Sequence, residues 1–153
     1  APTHWEPEQP DRYRVQGRMQ HAVLASVRTA DDLEQAVRLE GDRYGTPEEK
    51  RAELLAMLRQ VLSVPALQDF FGPGLEVWNE TTLITREGQA LRPDRIVRTA
   101  DVTRVLDIKT GAPGAEHAEQ VTTYAELLQE LGHARVTAHL LYLPDGVLVP
   151  VLT

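Results

Sequence analysis

Two acids and a lysine near the middle of the chain have a spacing that suits hydrolytic chemistry. The stretch Arg92-Pro-Asp-Arg-Ile-Val is followed, thirteen positions after Asp94, by Asp107-Ile-Lys-Thr-Gly. Side chains two apart leave the same face of a strand, so Asp107 and Lys109 are expected to share one pocket. If Asp94 lies opposite them on a neighbouring strand, two carboxylates converge, and a cation between them relieves their repulsion. Such oxygen ligands favour Mg²⁺ or Mn²⁺.

This arrangement suits phosphodiester hydrolysis. A bound metal polarises a phosphoryl oxygen and acidifies a water molecule, while Lys109 can orient the nucleophile or stabilise developing charge. The alternative is that Asp94 caps a turn while Asp107 and Lys109 form an ordinary ion pair. These three residues alone do not separate the two interpretations.

Three ordered motifs add a family resemblance. They are Arg92-Pro-Asp-Arg-Ile-Val, then Val105-Leu-Asp-Ile-Lys-Thr-Gly, then His117-Ala-Glu-Gln-Val-Thr-Thr-Tyr. Together they resemble the RecB-type branch of the PD-(D/E)xK nucleases, over roughly residues 75 to 143, and Gly17-Arg-Met-Gln-His21 resembles the early Gly-x-x-x-His helix of that family. The resemblance implies an α/β, restriction-endonuclease-like core, with a central mixed sheet flanked by helices and extra helices at the N-terminus.

The same resemblance implies a metal-dependent DNA nuclease of the kind found at the C-terminus of helicases in recombination and repair. Its implied catalytic residues are Asp94, Asp107, Lys109, Glu80, Gln120 and Tyr124. Its implied ligands for Mg²⁺ or Mn²⁺ are His21, Asp94, Asp107, Glu80 and the backbone carbonyl of Ile108. The side chain of Ile108 departs from the family pattern, in which an aromatic residue is commoner between the acid and the lysine.

Several of these assignments have competing interpretations. Glu76 competes with Glu80, because an even spacing on one strand sends both side chains to the same face, and either could be merely solvated. His21 could be a half-exposed helix histidine without a role. Gln120 and Tyr124 are one helical turn apart and are expected to face the site, although Tyr124 also fits the apolar stripe of its helix.

Three further charged or titratable residues have open roles. His117 lies three positions before Gln120 and could touch the same pocket, or could be a surface histidine at a helix start. Arg92 and Arg95 flank Asp94 and could guide phosphates to the metal, or form salt bridges on the strand face.

Composition limits the partners. The 153 residues carry 16 Lys and Arg against 23 Asp and Glu, a net charge of -7, which disfavours independent capture of nucleic acid. We therefore expect single-stranded DNA to be delivered by attached helicase domains. The alternative is a non-catalytic domain of the same fold that docks a partner or binds DNA ends. With no cysteine and no apolar run long enough to span a bilayer, the sequence predicts a cytoplasmic protein with no membrane partner.

The chain is expected to hold one domain. Residues 1–15 carry three prolines and predict an extended lead-in, and residues 16–153 predict a single nuclease domain. The start at alanine suggests excision from a longer helicase-nuclease chain, with removal of an initiating Met as the alternative. The lack of an ATP-binding loop places any motor outside these residues.

Hydrophobic periodicity predicts the elements that position the site. A first helix is expected from Met19 to Val27, and a second from a Thr29 N-cap to Leu39, closed by Gly41 and Gly45. A third helix is expected to begin after a capping Thr46, with Pro47 at its N1 position. A short helical turn is expected after Pro65, and a last helix around residues 121–131. Strands are expected at 75–84, 91–97, 102–108, 135–143 and 147–152.

Overall fold

The computed structural model describes the backbone of residues 8–153 and the side chains of residues 16–153. Its helices are α1 (Glu8–Ser26), α2 (Leu33–Tyr44), α3 (Glu48–Leu62), α4 (Gln68–Phe71) and α5 (Ala115–Glu130), with short 3-10 turns at Ala30–Asp32 and Pro65–Leu67. Its strands are β1 (Glu76–Asn79), β2 (Leu83–Ile84), β3 (Ala90–Leu91), β4 (Arg95–Arg98), β5 (Thr103–Thr110), β6 (Val136–Leu143) and β7 (Val147–Leu152).

Five of these strands form one mixed sheet in the order β1-β4-β5-β6-β7. The β5–β6 pair is parallel and the other pairs are antiparallel. Parallel neighbours need a crossover, and α5 supplies it between β5 and β6. The α/β class with a mixed sheet flanked by helices is therefore confirmed.

Strand β5 lies at the centre of the sheet and divides two cores. Leu106 and Ile108 pack with the buried residues of the N-terminal helices. Val105 packs on the opposite face with α5, whose Val121 and Leu128 are buried there. Because Asp107 and Lys109 alternate with Ile108 along β5, they leave the sheet on the α5 side.

The start of α1 corrects one expectation. The predicted extended lead-in falls partly on residues 1–7, which lie outside the described residues, but from Glu8 onward the chain is helical. Pro10 falls in the first turn, where backbone N–H groups have no partner within the helix, so the proline does not prevent helix formation.

Helix α2 continues past the position at which it was expected to end. Gly41 is buried inside the helix, where an added Cβ would meet Arg51 Nε at 2.5 Å. The helix ends after Tyr44, where Gly45 adopts a left-handed φ of 65°. Gly41 therefore provides space for a side chain of α3 and does not stop the helix.

The N-cap of α3 also differs from the prediction. Pro47 occupies the N-cap position, one residue later than expected, and no side chain caps the helix there. The Thr46 hydroxyl instead donates to Met19 Sδ over 3.2 Å, so this threonine contributes to packing between helices.

Two of the predicted strands are each divided in two. The first ends at Asn79, because Glu80 adopts a left-handed φ of 48° that breaks the alternation. The second is interrupted before β4 at Pro93, which has no N–H to donate. The pieces between these breaks, β2 and β3, pair as a separate hairpin.

A helix needs about 20 apolar residues to cross the hydrocarbon core of a bilayer. No helix within residues 8–153 has both the length and the apolar character to do so.

Candidate active site

Where β4 meets the end of β5, carboxylate side chains accept backbone N–H groups in place of the regular hydrogen bonds between the strands. The regular pairing stops at Arg95 and Leu106. One residue further, Asp107 Oδ1 accepts the Asp94 N–H over 3.1 Å, and Asp94 Oδ2 accepts the Ile108 N–H over 2.7 Å. The two acids predicted to converge are therefore held side by side through each other's backbone.

Asp107 is deeply buried beside a second negative charge. Burial first, and then the charge of Asp94, raise its pKa to about 6, although the Asp94 N–H and Lys109 act in the opposite direction. Lys109 Nζ lies 3.5 Å from Asp107 Oδ2 and donates to Gln120 Oε1 over 2.7 Å. The expected pocket shared by Asp107 and Lys109 is present, with its ammonium held by Gln120 on α5.

His21 reaches the same cluster from α1. Its Nε2–H donates to Asp94 Oδ1 over 2.6 Å, since an ionised carboxylate can only accept. This bond is the largest influence on the imidazole and raises its pKa, assisted by the charges of Asp94, Glu80 and Asp107 and opposed by burial.

Gly17 explains why this helix can come so close to the sheet. A Cβ on Gly17 would lie 3.0 Å from the Thr110 Oγ1 at the end of β5. His21 follows four residues later, about one helical turn along α1, where it meets Asp94. The Gly-x-x-x-His spacing thus combines a close helix–strand approach with a polar contact one turn away.

Glu80 lies at the edge of the cluster, held by two neighbours. Its N–H donates to the Asp94 carbonyl over 3.0 Å, and Arg92 donates to its carbonyl and to its Oε2 over 2.9 and 3.1 Å. The competing Glu76 lies at the opposite end of β1, where it is opposite Arg98 in the register with β4. The structure therefore brings Glu80 to the site and leaves Glu76 away from it. Arg92 is exposed and forms the ion pair that the sequence left open.

Tyr124 and His117 occupy positions that favour their structural interpretations. Tyr124 is buried among the apolar residues of the α5 face, and burial followed by the charges of Asp107 and Asp94 raises its pKa to about 12. His117 shares a hydrogen bond with the Tyr142 hydroxyl over 2.9 Å. The burial of Tyr124 agrees with its place in the apolar stripe of α5, and its catalytic role stays a prediction.

Arg95 corrects another expectation, because its side chain is completely buried. It donates to the carbonyls of Phe70, Val27 and Arg28 and to Asn79 Oδ1, and its guanidinium lies 4.1 Å from the centre of the Phe71 ring. Burial lowers its pKa to about 9. Arg95 therefore neither guides phosphates nor forms a strand-face salt bridge, and it joins elements of the fold behind Asp94.

A wide groove opens beside His21, and no sequence pattern predicted it. It has a volume of about 1370 Å³ and runs along α1 and the end of α2, with Glu80, Arg92 and Asn79 also in its wall. No motif marks its far side, because Arg43 and Tyr44 belong to an unremarkable amphipathic helix. Only the packing of α1 on α2 brings these residues into line with the site.

Across residues 16–153, no group of three or more His, Asp or Glu side chains is arranged to hold a metal ion. Both Asp94 oxygens already accept hydrogen bonds, from His21 and from the Ile108 N–H. The metal ligands implied by the resemblance, including the Ile108 carbonyl, stay predictions. Compared with known proteins, the chain matches no family model, and no curated protein matches it.

Proposed function

We propose that this domain hydrolyses phosphodiester bonds of DNA with the help of Mg²⁺ or Mn²⁺, as a nuclease of the RecB-type PD-(D/E)xK family with a restriction-endonuclease-like core. The observation that carries the proposal is the reciprocal pairing of Asp94 and Asp107, with Lys109 Nζ 3.5 Å from the Asp107 carboxylate. The mixed sheet and the α5 crossover support the fold part of the proposal.

The chemistry of the donor atoms suits a divalent cation. Asp94 and Asp107 are two carboxylates in one partly buried pocket, and the raised pKa of Asp107 reflects burial and the repulsion that a cation would relieve. His21 can join them only after its Nε2 loses the proton now bonded to Asp94. When bound, the cation supplies Lewis-acid polarisation of a phosphoryl oxygen and a more acidic water.

The other polar side chains orient the substrate and neutralise charge on its phosphate. Lys109, fixed by Asp107 and by Gln120 Oε1, holds a positive charge where negative charge develops on the phosphate. Glu80 and His21 border the same pocket as candidate ligands. Tyr124 supports the cluster from the core, and its high pKa keeps the hydroxyl protonated near the two acids.

The acidic net charge supports delivery of the substrate over capture. A domain with a net charge of -7 gains little from non-specific phosphate attraction as a whole. We therefore propose that its substrate is single-stranded DNA supplied by helicase domains in recombination and repair.

The proposal is tested with Asp107→Asn. The amide oxygen can still accept the Asp94 N–H, so the fold is retained, while one anionic ligand is lost. Cleavage of labelled single-stranded DNA in Mn²⁺ should fall about 100-fold or more. Because the raised pKa means that ionised Asp107 is unfavourable in the fold, the unfolding free energy at pH 7 should not decrease.

Asp101→Asn is the matched control, because Asp101 is an exposed acid in the turn before β5. This variant should cleave as the parent protein does. Cleavage that is equal in parent and Asp107→Asn would remove the proposed mechanism. Absence of cleavage in the parent, with no Mn²⁺ binding by calorimetry, would favour a non-catalytic domain that docks a partner or binds DNA ends.

A further inference from the structure

The wall of the groove beside His21 contains several groups that donate hydrogen bonds. Helix α1 contributes Gln16, Arg18 and Gln20, the end of α2 contributes Arg43 and Tyr44, and Arg92 closes the groove next to Glu80. Guanidinium and amide N–H groups are the common donors to phosphate oxygens. The wall therefore offers several phosphate donors from elements far apart in the sequence.

The local charge of this groove is opposite to that of the chain. Its three arginines, Arg18, Arg43 and Arg92, face two glutamates, Glu40 and Glu80, which gives a formal charge of +1 in a protein of net charge -7. Arg92 is paired with Glu80 at 3.1 Å. Arg43 only approaches Glu40 at 4.0 Å, and 74% of its side chain is exposed, so its guanidinium is accessible to an anion.

The far end of the groove adds an aromatic surface. Tyr44 is one of the large hydrophobic side chains left exposed, with 36% of its surface in solvent. Unstacked bases bind to aromatic rings of this kind, whereas bases within a duplex are already stacked on one another. A volume of about 1370 Å³ also exceeds that of ordinary small-molecule pockets, so the groove suits a segment of a polymer.

We propose that this groove, from Tyr44 and Arg43 to His21, binds single-stranded nucleic acid and leads the strand to the candidate site along the N-terminal helices. This inference rests on the proposed function only for what happens at the His21 end. The phosphates contact Arg43 and Arg18, and a base stacks on Tyr44 before the chain reaches Asp94. The strand thus approaches over α1 and α2 and not over α5.

The test is binding of a fluorescein-labelled dT12 oligonucleotide by anisotropy in EDTA at low salt, where no cleavage occurs. Arg43→Ala and Tyr44→Ala should each weaken binding about five- to tenfold. Arg43→Ala should also reduce the slope of log affinity against log salt concentration by about one. Tyr44→Phe keeps an aromatic face and should recover most of the affinity lost in Tyr44→Ala.

Arg38→Ala is the matched control for charge, since Arg38 is exposed on the same helix and lies outside the groove wall. It should bind as the parent protein does. Equal binding by all variants, no binding by the parent protein, or equal binding of a duplex of the same length would overturn the proposal.

Cleavage in Mn²⁺ separates the two proposals. If the parent protein binds dT12 through Arg43 and Tyr44 but cuts no DNA, the proposed nuclease function fails and the groove stands. If Asp107-dependent cleavage is normal while Arg43→Ala and Tyr44→Ala bind and cut like the parent protein, the groove fails and the nuclease stands.

Discussion

Glu80 is the one non-glycine residue in the described chain with a positive φ. A left-handed conformation costs an L-residue about 1 to 2 kcal/mol, so something must hold it there. Arg92 bonds both the backbone and the carboxylate of this residue, and the Asp94 carbonyl accepts its N–H. Strain of this kind collects at functional sites, and here it directs a carboxylate toward the groove next to His21.

Replacement of Glu80 by glycine should therefore separate stability from function. Glycine adopts this φ without strain, so the unfolding free energy in urea should stay equal or rise by about 1 kcal/mol. Affinity for Mn²⁺ and the rate of DNA cleavage should both fall, because a candidate ligand is lost. Calorimetry and the oligonucleotide assay measure these two quantities.

Glu87→Gly is the control, because Glu87 lies in the exposed hairpin turn without a positive φ. It should leave cleavage unchanged and give no gain in stability. A loss of more than about 1 kcal/mol in Glu80→Gly, with cleavage intact, would contradict a strained functional residue at this position.

At the residue scale, the sequence predicted what alternation alone determines. Asp107 and Lys109 share a face because their strand is regular, and that prediction is confirmed. Glu80 and Glu76 were expected on one face, but the strand ends between them. For Arg95 the sequence left open a phosphate contact or a strand-face salt bridge, and no local pattern could indicate that several backbone carbonyls from distant elements would surround it.

Among the elements, Arg95 connects the end of α1 to α4 and to the sheet. It donates to Val27 and Arg28 after α1, to Phe70 in α4 and to Asn79 in β1. Since α1 carries His21, this buried guanidinium also fixes the helix from which the imidazole approaches Asp94. The positive charge of Arg95 has no carboxylate partner among these contacts, so the four acceptors together must stabilise it.

Arg95→Met tests this connection. Methionine fills much of the volume and avoids the cost of burying a cation. It also leaves the carbonyls of Val27, Arg28 and Phe70 without their donor, and we expect this loss to be the larger effect. We expect the unfolding free energy to fall by about 2 kcal/mol or more, as measured by urea denaturation. Arg28→Ala, which removes an exposed side chain but keeps the carbonyl that Arg95 bonds, should change it by less than about 0.5 kcal/mol. Equal stabilities would show that the connection contributes little.

Elements were predicted correctly where local sequence determines them and missed where contacts between helices do. Helix α5 and strands β6 and β7 follow from local periodicity and from the turns that separate them, and they were predicted. The start of α1 was not, because prolines in a first turn look like those of a loop. The extent of α2 depended on the space that Gly41 leaves for Arg51, which is a contact between helices.

For the whole molecule, the important feature is that one sheet serves two layers. Residues of β5 enter both cores, Leu106 on the side of the N-terminal helices and Val105 on the side of α5. Neither layer can bury its apolar face without that sheet. The two cores should therefore be lost together.

Chemical unfolding should accordingly be a single transition. With Trp5 replaced by Phe, the remaining tryptophan is Trp78 in β1, and its fluorescence reports on the sheet. Far-UV circular dichroism is dominated by the helices. The two signals should give the same midpoint in urea. Fluorescence lost at a different urea concentration from the helical signal would show that the layers unfold separately.

The net charge of the chain did not indicate the local charge of the groove. A value of -7 indicates a protein that repels polyanions, yet the groove beside His21 has a formal charge of +1. An average over the surface cannot show which charges the fold brings together. Arg18, Arg43 and Arg92 lie on three different segments, and only their assembly makes a basic wall.

The β2–β3 hairpin gives this fold a place where its length can change. Its two ends are joined by the hydrogen bond from the Glu80 N–H to the Asp94 carbonyl, over 3.0 Å. Its tip at Thr85–Gln89 is closed by two backbone hydrogen bonds of its own. Extra residues at the tip would leave the spacing of the two ends as it is. Related chains could therefore carry longer hairpins or an inserted module here, and an engineer could place a reporter or tether at the same point, outside both cores.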